Sequence, residues 1–154
     1  MADAKALLVL GHLRGEPATM QQDVHFEDCV GEVGDELAES VEVALSAGVL
    51  RERLVVDPGI GFGKRLPHNL SLLANVGALR ARLGLPVLVG PSRKAFLGEL
   101  TGDAVAERDR ATQAACAVAI FAGADAVRVH DVAGAARAAA VGLALRGARR
   151  KAAP

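Results

Sequence analysis

Four times along this chain a short apolar run is followed by a polar or glycine-rich break and then by a helical stripe. The runs fall at residues 6–10, 53–57, 87–90 and 126–129. Each is rich in Val or Leu and lacks clean alternation, as expected of strands buried on both faces of a parallel sheet. The order βαβαβαβα implies parallel strands joined by right-handed crossovers. Two architectures satisfy it. One is a small open, doubly wound sheet. The other is half of an eightfold (β/α) barrel, since a complete barrel takes about 250 residues and this chain has 154.

The spacing predicts a helix over residues 26–47, where Val30, Val33, Leu37, Val41, Ala44 and Leu45 make one stripe. Gly48 is placed to cap it, while Gly31 and Gly34 weaken it if they are interior. A second helix is expected over 69–83, ending at Gly84. A short one follows over 94–100, a longer one over 108–122, and the last over 135–146. Residues 146–154 read as a basic, frayed tail.

Hydrophobic residues at 51% supply a packed core, which excludes a disordered class. Eighteen basic residues balance eighteen acidic ones, so no basic nucleic-acid footprint exists, and 3% aromatics give few stacking platforms. No apolar run reaches the roughly 18 residues of a membrane span. The five apolar residues 6–10 are too short for a signal-peptide core. Cys29 and Cys116 have no Cys-x-x-Cys or Cys/His neighbours and read as core thiols of a reducing cytoplasm.

Parallel β/α folds build their sites at the C-terminal ends of the strands, and there each run opens into polar sequence. The first is followed by Gly11-His12-Leu13-Arg14-Gly15. The second ends in Asp57-Pro58-Gly59-Ile60-Gly61-Phe62-Gly63-Lys64, the third in Gly90-Pro91-Ser92-Arg93-Lys94, and the fourth in Arg128-Val129-His130-Asp131. Asp57 closes a buried run with no helix starting after it. Its carboxylate can accept two parallel N–H bonds from a flat amidine-like edge, such as that of a pterin or guanine.

Gly59-x-Gly61-x-Gly63-Lys64 fails as a phosphate loop, because Pro58 stands where its first glycine belongs and Arg65 where Ser or Thr belongs. Its glycines suit a mobile lid or a close backbone wall, with Phe62 as the large apolar surface. Ser92 adds a hydroxyl, and Arg93 and Lys94 add two cations. Arg128 and His130 alternate along the fourth run and so point the same way, which suits a phosphate or pyrophosphate. His12 is a candidate member of the same rim. His25 and His68 are expected in loops. No nucleophile stands out, which favours catalysis by orientation and charge stabilisation.

Taken together, the motifs ending in Lys64, Lys94 and Asp131 resemble bacterial dihydropteroate synthase. His12-Leu13-Arg14-Gly15 with Pro17, Thr19 and Met20 is similar to the segment after that family's fifth strand. The resemblance spans nearly the whole chain, in order. It implies an α/β fold of the (β/α)8 TIM-barrel type with only the last four β/α units present, over residues 1–147, followed by a basic tail at 148–154. It also implies a cytoplasmic transferase of folate synthesis. That enzyme condenses p-aminobenzoate with 6-hydroxymethyl-7,8-dihydropterin pyrophosphate, giving 7,8-dihydropteroate and pyrophosphate, with Mg²⁺ assisting.

By position, Asp57 would hold the pterin's amino-pyrimidine edge and Lys94 would hydrogen-bond the pterin. Arg128 would cover its face and, with His130, bind pyrophosphate; Lys94, Arg128 and His130 would be the catalytic set. Ser92 and Phe62 would lie at the p-aminobenzoate side, where sulfonamides compete, and Gly90 would be a further substrate-binding position. Two positions depart from the family: Gly11, where a Met often lines the pterin pocket, and Pro91, in place of Met or Thr. The family's first-half loop with its metal and pyrophosphate contact has no counterpart, so a truncated or mis-started chain is expected. Such a chain would have impaired activity or none, and would self-associate, dock with a separately made N-terminal half, or fold poorly. The alternatives are a pterin- or methyltetrahydrofolate-binding module and a silent paralogue.

Overall fold

A computed structural model describes residues 6–152; 1–5 at the start of the chain and 153–154 at its end lie outside them. Four parallel strands form, β1 (Leu8–Gly11), β2 (Leu54–Asp57), β3 (Leu88–Val89) and β4 (Ala126–Val127). β1 pairs with β2 in the register Leu8↔Leu54 to Gly11↔Asp57. β3 pairs with β4, and a bridge between Val56 and Val87 joins the two pairs. The spatial order is therefore β1-β2-β3-β4. A doubly wound sheet reverses direction part-way, whereas here each new strand is added on the same side, as in (β/α) barrels.

Six helices are described. α1 (Cys29–Ser46) starts later than its apolar stripe suggested, because Asp28 caps it and accepts from Gly31 N. Val33, Leu37 and Val41 bury its inner face. Gly34 lies inside the helix, where Arg82 Cδ would stand 2.9 Å from an added Cβ; the residue that weakens the helix is what lets the next helix hairpin approach. Gly48, with φ 84°, follows the last turn as expected.

The helix expected over 69–83 is two helices, α2 (Leu66–Ala74) and α3 (Val76–Leu83). The break is Asn75, whose side chain donates back to the Ser71 carbonyl and competes with the helical ladder. α2 begins at Leu66 because Pro67 is tolerated in a first turn. His68 consequently lies on a helix, not in a loop: its Nδ1 accepts from Arg65 N at 3.2 Å. α4 (Ala95–Thr101) and α5 (Asp109–Ala122) fall where their stripes predict. α6 (Val132–Ala152) starts earlier and ends later than expected, so the supposed frayed tail is helical through Ala152.

The helices cover one face of the sheet. Leu54, Val56, Val87 and Val89 point into them and are buried, as are Leu37, Leu72 and Leu79 on the helices. Each such side chain contributes about 1.5–3 kcal/mol. The opposite face carries Val9, Val55, Leu88 and Ala126, all partly or fully exposed. Strand periodicity of two then fixes the site. Two residues beyond Val9, Val55, Leu88 and Ala126 stand Gly11, Asp57, Gly90 and Arg128, all on this inner face at the strands' C-terminal ends.

Candidate functional site

Asp57 is 7% exposed at the end of β2. Its Oδ1 accepts from Gly59 N at 2.8 Å, which turns the chain sharply after Pro58. Its Oδ2 stays turned toward the rim and meets Arg128 Nη2 at 3.9 Å. Arg128 gets there by lying across Gly90, where an added Cβ would stand 2.9 Å from its Nη2.

Ser92 and His130 form a pair. Ser92 Oγ lies 2.7 Å from His130 Nδ1 and accepts from the His130 backbone N–H at 3.2 Å. The hydroxyl anchors the ring at both its backbone and its Nδ1, which leaves the Nε2 edge of His130 as the one not engaged by Ser92. Arg93 does not join the rim. Its guanidinium is locked to Asp109 by two bonds of 2.8 and 2.7 Å, so of the two cations expected here only Lys94 serves the site.

The Lys94 ammonium donates to the Ile60 carbonyl and sits 3.8 Å from the centroid of the Phe62 ring. Burial lowers it to about 8, with Asp57 pulling it up and Arg128 pushing it further down. The Phe62 ring is 39% exposed and walls a cleft of about 550 Å³ lined also by Gln21, Lys64, Asn69, Lys94 and Glu99. The glycine run folds over the first loop. A Cβ on Gly59 would stand 1.9 Å from the His12 carbonyl oxygen, and Gly59, Gly61 and Gly63 all have positive φ.

Three contributors were not read from the sequence. Asn69 accepts from Gly61 N at 2.7 Å and donates to the Arg65 carbonyl, bracing the glycine run from α2. Lys64 is buried, with its ammonium 2.8 Å from His12 Nδ1 and 3.0 Å from the Phe62 carbonyl. Glu36 meets His12 Nε2 at 3.0 Å. An ammonium can only donate, so His12 accepts a hydrogen bond from Lys64 at Nδ1 and donates its Nε2–H to Glu36. Burial, with the Lys64 charge beside it, lowers His12 to about 4, and burial lowers Lys64 to about 8. A polar residue one turn into a helix after a glycine run, as Asn69 is, was the available signal for the brace.

Among the described residues no group of three or more His, Cys, Asp or Glu could hold a metal ion. The rim has one carboxylate, Asp57, half used by Gly59 and approached by Arg128. Mg²⁺ is held through one or two carboxylates with substrate phosphates and water; here the single carboxylate already faces two cations, Arg128 and Lys94, so these residues fit an anion and not Mg²⁺. Both cysteines are buried and free. No described helix is long and apolar enough to cross a membrane.

The chain matches the family described as pterin binding enzyme over residues 1–130. It is 46% identical over 132 residues to the dihydropteroate synthase of Synechocystis, covering 85% of this chain and 45% of that one. It superposes with a TM-score of 0.87 and 34% identity on the Yersinia pestis dihydropteroate synthase in a sulfonamide drug complex, covering 92% of this chain and 52% of that one. With the Xanthomonas albilineans dihydropteroate synthase in complex with 7,8-dihydropteroate, the TM-score is 0.81 and the identity 40%, over 99% of this chain and 53% of the other. The chain spans about half the length of the relatives it matches.

Proposed function

The chain belongs to the pterin binding enzyme family, and from that we propose that it is the C-terminal half of a dihydropteroate synthase barrel. The observation that carries this reading is the inner-face alignment of Asp57, Gly90 and Arg128 at the C-terminal ends of three successive strands, with Lys94 and His130 on the adjoining loops. Asp57 offers an unspent carboxylate oxygen to the amino-pyrimidine edge of a pterin. Lys94 donates to the pterin's acceptor atoms, and Arg128 with His130 takes the pyrophosphate.

The amine nitrogen of p-aminobenzoate attacks the pterin methylene carbon from the Phe62 side. The C–N bond forms, the C–O bond to pyrophosphate breaks, and the amine loses a proton to water. Charge developing on the departing oxygens is met by fixed cations, which is where such sites lower barriers. The cations of the rim favour a pyrophosphate-releasing synthase over a methyltetrahydrofolate-binding module. The cations beside Asp57 leave no place for Mg²⁺ on these residues, so any metal contact comes from the other half of a barrel.

The reading includes a reducing cytoplasm, where both thiols stay free, and no nucleic-acid or membrane partner. It also includes closure of the exposed inner face against a second copy or a separate N-terminal half. Calorimetric titration of the 154-residue chain with 6-hydroxymethylpterin and with pyrophosphate tests it. Dihydropteroate formation on mixing with the N-terminal half of the Synechocystis relative is the second arm. Binding of both ligands, with product formed on mixing, is expected. A folded chain that binds neither ligand overturns it.

A further inference from the structure

The glycine run from Gly59 to Gly63 belongs to no helix or strand, and three of its residues have left-handed backbone. What holds it in place is therefore a short set of side-chain contacts. Asp57 takes Gly59 N, Lys94 takes the Ile60 carbonyl, Asn69 takes Gly61 N, Gln21 takes the Gly61 carbonyl, and Lys64 takes the Phe62 carbonyl. The last contact sits at the residue whose ring covers Lys94.

Lys64 is itself anchored. It is 3% exposed, and its ammonium rests on His12 Nδ1 at 2.8 Å. His12 is held by Glu36 of α1, and Glu36 is held by Arg14, which also bonds Glu32 at 2.8 Å and lies 4.0 Å from the Phe26 ring centroid. A continuous polar chain thus runs from α1, through the loop after β1, to the backbone of Phe62. A methionine at position 64 would fill similar volume without the cost of burying an ammonium. What the lysine adds is a pair of donated bonds, one to each loop.

We propose that Lys64 is a positioning residue: anchored on His12, it fixes the Phe62 carbonyl and so sets the Phe62 ring over the Lys94 ammonium as the wall against which an aromatic amine lies. This deepens the synthase reading and rests on it for the identity of the amine.

The test is NMR on the full chain, using the upfield ring-current displacement of the Lys94 ε-methylene protons under the Phe62 ring. Lys64→Met should abolish that displacement. Should Lys64→Met unfold the chain, the His12 pair decides alone. His12→Asn, which can keep an acceptor near the Nδ1 position, should preserve the displacement; His12→Leu should lose it. Retention of the displacement in Lys64→Met, or in His12→Leu, overturns the proposal, as does its absence in the unaltered chain. Titration of the same samples with p-aminobenzoate separates the two readings. Weaker p-aminobenzoate binding by Lys64→Met with unchanged 6-hydroxymethylpterin binding supports the positioning role. Equal p-aminobenzoate affinity in both proteins overturns it. A chain whose ring displacement depends on Lys64 but which binds no p-aminobenzoate keeps the positioning role and removes the amine.

Discussion

Arg128, just past β4, reaches over the end of β3 to stand 3.9 Å from Asp57 at the end of β2. The span is open because position 90 is glycine. The guanidinium is mostly in solvent, so the pair adds little to stability, about 0–1 kcal/mol at most. Its value is electrostatic: a cation is parked at the mouth of a buried carboxylate, where an anionic ligand carrying a hydrogen-bonding ring would meet both.

Gly90→Ala tests that geometry. The added methyl meets the end of a flexible side chain, so folding should be nearly unaffected, while Arg128 is pushed aside. Pyrophosphate binding, measured by calorimetry, should weaken by about one order of magnitude, the worth of one charge-assisted contact. Affinity equal to that of the parent would place Arg128 outside the anion site.

Asp57→Asn keeps an oxygen for Gly59 N and so keeps the turn, but replaces a charged acceptor by an amide. The expected loss in 6-hydroxymethylpterin affinity corresponds to about 1.5–3 kcal/mol. Thermal melting should move little, and an unaltered Kd would sink the assignment of the pterin edge to this residue.

Gly11 faces Asp57 directly in register, and a Cβ there would meet nothing within 4 Å. The pocket wall at this point is missing rather than built differently. Gly11→Met should therefore tighten pterin binding without a folding penalty; a weaker complex would show that the open wall is needed.

The buried His12 gives a pH signature. Burial lowers it from the ordinary 6.5 of an unfolded chain to about 4 in the folded one. Between these values the unfolded state binds the extra proton, so stability falls as pH is lowered through the window and is unaffected by this residue above it. The loss by pH 4 is on the order of 3 kcal/mol. His68, also lowered by burial from 6.5, adds a fall of the same sign in the upper part of the window, whereas Asp109, held low by its bonds to Arg93, acts only below its ordinary value near 3.8. Urea midpoints at pH 7, 5 and 4 should show the fall, and His12→Asn should reduce it without removing it.

Two glycines with left-handed backbone should respond unequally to alanine. Gly102→Ala, with φ 79° and open space around it, should cost about 1 kcal/mol. Gly59→Ala adds a methyl 1.9 Å from the His12 carbonyl and should cost more than about 3 kcal/mol. Chemical denaturation of both variants gives the comparison; similar midpoints would mean that the two loops are not packed together.

The rim was legible in the sequence because parallel β/α folds put chemistry at strand ends, and Asp57, Gly90 and Arg128 stand two residues past inward-facing positions. The helices were legible from their stripes. Less visible was whatever depends on contacts across the chain. The Lys64–His12 bond joins residues 52 positions apart and exists only because two glycine-bearing loops pack against each other. Arg93 and Lys94 are adjacent and chemically alike, yet α5 supplies Asp109 to turn one of them away. The break at Asn75 comes from a single side chain bonding back to Ser71, which periodicity does not register. The expected end of α6 near Arg146 rested on composition, and the helix simply continues.

The Lys94 ammonium already holds a backbone carbonyl and the face of an aromatic ring. A ligand that recruits it must surrender those contacts, so only the difference between old and new partners appears as affinity. A molecule that brings both an acceptor and a flat surface replaces what is given up; one that brings the acceptor alone does not. The resting arrangement of one lysine thereby acts as a filter for ring-shaped guests before any chemistry begins.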